Sequence, residues 1–167
     1  MKPANFLLAC FIGLTPACTL IRQSAIVAPV GPPPSVPDSR ASEGGLVVYS
    51  ALDIGTPGDS DYTRYHSGYR IYSAAGKSLR WVNNGVRTSS ENPEVVSLPP
   101  GRYRVVARAA AFGTVTVPVV IEAGKTTFVH LDGSELAGGG QTTALGFVSL
   151  PDGLIIGWRA KDDAETK

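Results

Sequence analysis

Between Glu94 and Gly133 the chain alternates short β-branched runs with breaks at Pro99-Pro100-Gly101, Phe112-Gly113, Ala123-Gly124-Lys125 and Asp132-Gly133. This is the punctuation of antiparallel strands joined by tight turns. It predicts an all-β fold, a small antiparallel β-sandwich, and the 19 glycines and 13 prolines of the 167-residue chain favour the same turn-rich class. The length suits one domain.

Further strands follow from the same pattern. Leu46 to Leu52 is an apolar run of strand length, and Asp53 to Ser67, rich in Gly, Pro, Asp and Ser, reads as a long loop. Tyr69 to Ser73 and Leu79 to Asn83 flank Ala-Ala-Gly-Lys and form a hairpin, and Asn84-Gly85 is a strong tight-turn signal. Glu94 to Leu98, Arg102 to Ala110, Thr114 to Ile121 and Thr126 to Leu131 complete the domain, with Pro118 marking an edge strand or bulge because it removes a ladder donor. After the glycine-rich segment 134–144, Phe147 to Leu150 and Leu154 to Trp158 flank Pro151-Asp152-Gly153 as an extra C-terminal hairpin, 145–160. An isolated hairpin is barely stable in water, so it packs on the main domain or on a partner. Residues 161–167 read as a frayed tail.

The stretch Leu98-Pro-Pro-Gly-Arg-Tyr-Arg-Val105, a break, a strand and then Ile121-Glu-Ala-Gly-Lys-Thr-Thr-Phe-Val129 resembles the carboxypeptidase-regulatory, transthyretin-like and PEGA group of small bacterial β-sandwich modules. The resemblance covers about residues 45 to 133 of the domain, 44–133. It implies an Ig-like or transthyretin-like sandwich that serves as a spacer, adhesion or binding unit and carries no catalytic residues.

The N-terminus has one early lysine, an apolar Phe6 to Leu14 and small residues ending at Cys18. These are the parts of a secretory signal, here residues 1–17, and the apolar part is too short for a permanent membrane span. Leu14-Thr-Pro-Ala-Cys18 resembles a bacterial lipoprotein signal, which implies acylation of Cys18, and Thr19 after it implies the outer membrane. Cleavage after Ala17 by ordinary signal peptidase is the alternative. Cysteine usage favours lipidation: Cys10 lies inside the signal and Cys18 is the sole cysteine left to pair. Residues 18–43 then form a lipidated end and a spacer carrying Pro29, Pro32, Pro33, Pro34 and Pro37, able to hold the domain roughly 75 Å from a bilayer at about 3.1 Å per residue.

The candidate chemistry is sparse. Lys2 is the sole charged residue before Cys18, so removing the signal leaves 14 basic and 14 acidic side chains. That balance argues against nucleic acid as a partner, and Arg102, Arg104 and Arg108 read as the wet face of a strand. Gly76-Lys77-Ser78 and Gly124-Lys125-Thr126 lack the upstream glycine of a phosphate loop and read as hairpin turns. Asp53, Asp59, Asp61 and His66 fit neither a calcium loop nor a closed zinc site, so no metal or other cofactor is expected. Ser60 lacks the second glycine of a nucleophile elbow, and His130, beside Phe128, reads as structural. The chain is therefore expected not to be an enzyme.

Tyr62, Tyr65, Tyr69, Tyr72 and Trp81 cluster within twenty positions. Aromatic rings with polar tips bind sugars or proteins when exposed. Tyr69 and Ile71 fall on one strand face and Tyr72 on the other, leaving Tyr62, Tyr65, Tyr72 and Trp81 as the candidate ligand-binding residues. The sequence thus points to an exported, lipid-anchored envelope module that acts structurally or binds an envelope protein, with cell-wall glycan as the alternative ligand. Cys18→Ala is expected to release the protein from membranes and to remove the lipid mass increment from the mature chain. Unchanged attachment and mass in that variant would count against acylation.

Overall fold

Two nine-residue strands form the spine of the structure, a computed structural model that describes residues 27–54, 64–84, 93–134 and 146–161. In chain order the strands are β1 (Val30–Gly31), β2 (Gly44–Tyr49), β3 (Leu52–Ile54), β4 (Arg64–His66), β5 (Tyr69–Ser73), β6 (Ser78–Val82), β7 (Val96–Leu98), β8 (Gly101–Ala109), β9 (Gly113–Ile121), β10 (Thr126–His130), β11 (Phe147–Ser149) and β12 (Ile155–Arg159). The described residues contain no helix, so the fold is all-β.

Alternation decides which way β8 and β9 face. Val105, Ala107, Ala109, Val115, Val117, Val119 and Ile121 are buried, while Arg104, Arg108 and Thr114 are exposed, as a period of two requires of a sheet with one wet face. The large sheet has the order β11-β12-β1-β9-β8-β5-β6, and a smaller one has the order β10-β2-β7. Leu46, Val48, Val96, Val129 and Leu131 from the smaller sheet join Val30, Tyr69, Ile71, Val105, Val117 and Ile156 from the larger in one apolar cluster. Each buried aliphatic side chain of this kind contributes about 1.5–3 kcal/mol.

The connections depart from several sequence expectations. The spacer does not extend to residue 43: Val27 and Val30 are buried, and Val30 pairs in parallel with Val119 and antiparallel with Arg159. Apolar Val27 and Val30 pull this end of the segment out of water, and the prolines that follow carry the chain from the large sheet to the small one. Asp38 N–H donates to Gly124 O at 3.1 Å, and Gly124 N–H donates to Glu43 O at 2.9 Å, fastening that crossing. The C-terminal hairpin is not an addition beside the domain. Through β1 it becomes one side of the large sheet.

Gly124-Lys125-Thr126 is not a hairpin turn either. It passes the chain between sheets, because β10 pairs in parallel with β2 and not with β9. Pro118 lies in an interior strand. Its missing donor is tolerable where the β1 ladder meets β9 at Val119 alone. The ends of the expected loop from Asp53 to Ser67 pair as the β3–β4 ribbon, Leu52 opposite His66 and Asp53 opposite Tyr65.

Close packing fixes the bridge. A Cβ on Gly157 would lie 2.6 Å from Val30 Cγ1 and 2.7 Å from Phe128 O, and one on Gly31 would lie 2.7 Å from Ala160 Cα. Gly157→Ala is therefore expected to cost about 1–3 kcal/mol. Native-state hydrogen exchange should show faster exchange at β11 and β12 before β8 and β9; equal acceleration throughout would mean that the hairpin does not open as a separate unit.

Candidate functional site: an aromatic and basic groove

Sheet alternation sorts the aromatic cluster. On β5, Tyr69 and Ile71 are fully buried, Arg70 is exposed and Tyr72 is half-buried. Cross-strand register sets Arg70 opposite Trp81 on β6 and Val106 on β8, and Tyr72 opposite Arg104. Trp81 is 57% exposed, a large apolar surface for water to wet.

The indole is nevertheless held in place. The Arg70 guanidinium carbon lies 5.5 Å from the centre of the Trp81 ring, a cation–π contact. Gly68 permits close approach from below, since a Cβ there would lie 2.5 Å from Trp81 Cζ2 and 3.0 Å from Val82 O. Beside the ring opens a groove of about 400 Å³ lined by residues that include Asp53, Gly68, Arg70, Tyr72, Trp81 and Arg108. Arg108 donates to Asp53 Oδ1 at 2.5 Å. Both partners are substantially solvated, which limits the pair to about 0–1 kcal/mol, but it ties the β3–β4 ribbon to β8 as one wall of the groove.

Of the four candidate ligand residues, Tyr72 and Trp81 line the groove together. Tyr65 is half-buried on β4, opposite Asp53, and does not line it. Tyr62 lies outside the described residues. Arg70, Arg108 and Gly68 were not singled out as ligand residues by sequence reasoning; Arg70 follows from the Tyr69-Arg70-Ile71-Tyr72 alternation, but the Asp53–Arg108 pairing spans 55 residues and has no local signal.

Tyr69 belongs to the core. Burial, reinforced by Glu94, pushes its phenol well above the usual tyrosine range, and its hydroxyl has no partner among the described residues. The residues once weighed as metal ligands have other partners. Asp53 pairs with Arg108, and His66 Nδ1 is 2.7 Å from Ser50 O, which fixes the proton on Nδ1 because a carbonyl only accepts. Asp59, Asp61 and Ser60 lie outside the described residues.

A polar knot underlies the ribbon. Ser50 Oγ donates to Ser67 O at 2.5 Å, and Asn84 Nδ2 donates to Val48 O at 2.7 Å while its Oδ1 accepts from Glu94 N–H at 3.0 Å. Tyr49 stacks on His130 with centroids 4.5 Å apart and meets His66 edge-on at 5.6 Å. Ser134 Oγ lies 3.4 Å from His130 Nδ1 and donates to Asp132 Oδ1 at 2.7 Å. That orientation sends the hydroxyl proton to the carboxylate, so the three residues are not arranged as a base-activated nucleophile.

Comparison with protein-family models, curated proteins and solved structures returned no match.

Burial lowers the His130 pKa below the ordinary histidine value; Asp132 opposes the shift and His66 adds to it. The unfolded chain then takes up this proton at a higher pH than the folded one, so stability falls as pH drops through the ordinary histidine range near 6.5. Urea midpoints measured between pH 7 and 5 are expected to fall less steeply for His130→Gln than for the unaltered chain. Parallel curves would mean that burial does not hold the His130 pKa below its value in the unfolded chain.

Proposed function

We propose that the protein is a non-enzymatic envelope module that binds a cell-wall glycan in the groove beside Trp81. The observation that carries this reading is the exposed indole, held between Gly68 and Arg70 at the margin of a groove with polar walls. With Gly68 beneath the ring and Arg70 over it, the part of the indole left wet at 57% exposure offers a sugar an apolar surface, and the polar groups around it fix orientation. The resemblance of the motifs at residues 98–105 and 121–129 to those of bacterial binding and spacer modules supports this role.

The export signal places the domain in the envelope, and acylation of Cys18 anchors it, at the outer membrane where the cell has one. The anchor stands close: Val27 is already part of the domain, nine residues after Cys18, which limits the linker to roughly 30 Å when fully extended.

A protein-binding role is the second reading, favoured by β6. Among the described residues this strand ends the large sheet, and Leu79, two positions from Trp81, is 46% exposed, so its edge offers a partner a place for strand addition.

Co-sedimentation of the purified, detergent-solubilised protein with protein-free sacculi tests the glycan reading. Saturable binding is expected, weakened about 30-fold by Trp81→Ala, as for the loss of an interface hot spot of about 2 kcal/mol. Failure of the folded protein to bind would turn the assignment toward a protein partner at β6.

A further inference from the structure

Resting on the glycan reading, we infer that the groove selects glycans bearing carboxylates, with Arg70 as the residue that receives the carboxylate. The exported chain has balanced charge, yet the outer face of the large sheet is basic. Arg70 on β5 and Arg104 and Arg108 on β8 are all exposed there, because both strands place their charged residues on the wet side of the alternation.

Among the described residues, several carboxylates have partners of their own. Glu94 pairs with Arg80 at 2.8 Å, Glu122 pairs with Lys125 at 2.7 Å, and Asp132 and Asp152 accept from nearby groups in their own turns. Asp53 is in the groove but is held by Arg108. Arg104 donates to the Ala74 carbonyl and makes no ion pair among the described residues.

Arg70 differs from these arginines in its partner. Among the described residues it makes a contact with the Trp81 ring and no ion pair, and the one carboxylate lining the groove with it, Asp53, is bound to Arg108. A guanidinium lying over an aromatic ring keeps N–H donors at its edge, and their fork matches a carboxylate in two parallel hydrogen bonds. The indole also holds the side chain in place before a ligand arrives, so less freedom is lost on binding.

The two elements sit at the spacing of one ligand unit. A sugar seated against the wetted part of the indole lies beside the guanidinium that covers the ring 5.5 Å from its centre, so a carboxylate carried one or two bonds outside the sugar ring comes within reach of that guanidinium. A groove of about 400 Å³ suits one or two such residues. A single stacked arginine with its neighbour already paired fits a monovalent, planar anion better than a run of phosphates, which calls for a cluster of free cations.

The test uses sacculi before and after their carboxyl groups are converted to methylamides with carbodiimide and methylamine. The detergent-solubilised full chain is expected to bind native sacculi at least tenfold more tightly than amidated ones. Arg70→Gln should lose the same factor on native sacculi and nothing further on amidated ones. Arg70→Lys should recover only part of the loss, since an ammonium supplies charge without the fork. Equal binding of the unaltered protein to both preparations would overturn carboxylate selection and leave the glycan reading standing. Lack of binding to either preparation by protein with a native near-ultraviolet spectrum would overturn both. Loss of binding in Arg70→Gln that is matched on amidated sacculi would assign Arg70 to positioning Trp81 and also overturn the inference.

Discussion

The insertion of Val30 and Gly31 between β9 and β12 is the constraint on which the rest of the molecule depends. The C-terminal hairpin reaches the main sheet only through this two-residue strand. Backbone pairing there is reinforced by Ala160 N–H donating to Pro29 O at 2.9 Å, and by the fit of Val30 against the bare backbone of Gly157. With the strand in place, Val148, Leu150 and Ile156 lie in the common core. Without it, β9 becomes an edge and those side chains face water.

A second layer of organisation is polar. Asn84, Ser50, Ser67 and His66 form a buried set of hydrogen bonds where β2 leaves the small sheet and the chain turns into the β3–β4 ribbon. Ala51 N–H donates to Arg108 O at 2.8 Å at the same point, so the ribbon is fixed to the large sheet by backbone as well as by Asp53. Ser67 takes part through its carbonyl, its own hydroxyl having no partner among the described residues, and buried polar groups bonded in this way specify one arrangement where an apolar contact would permit several. They hold one wall of the groove at a fixed distance from Arg70 and Trp81.

Much of this was legible in the sequence, for local reasons. Every strand with period-two alternation between Tyr69 and His130 was recognisable, because glycine and proline breaks bound it and its buried face is set by its own residues. Tyr69 against Tyr72 sorted into core and surface by the same parity. Three elements were not legible. Strand β1 has two residues amid prolines and pairs with strands about ninety and about one hundred and thirty positions away, so composition presented it as spacer. The parallel pairing of β10 with β2 is a long-range choice that a tight turn at Gly124 does not reveal. Arg70 looked like any charge on a wet strand face, and its stacking on Trp81 emerges from the β5–β6 register.

The same two-residue strand determines how the molecule carries load. Tension applied to the chain ahead of Val27 enters an interior strand of a seven-stranded sheet, the third from one end, rather than one of its margins. Pulled along the strand axis, the short ladders to β9 and β12 are sheared together, and the nine-residue pairing of β8 with β9 bears little of the force. The weakest link therefore lies nearest the end at which the force enters. When it yields, the C-terminal hairpin is set loose while β8, β5 and β6 stay paired, so the two-residue strand acts as a mechanical fuse for the sheet.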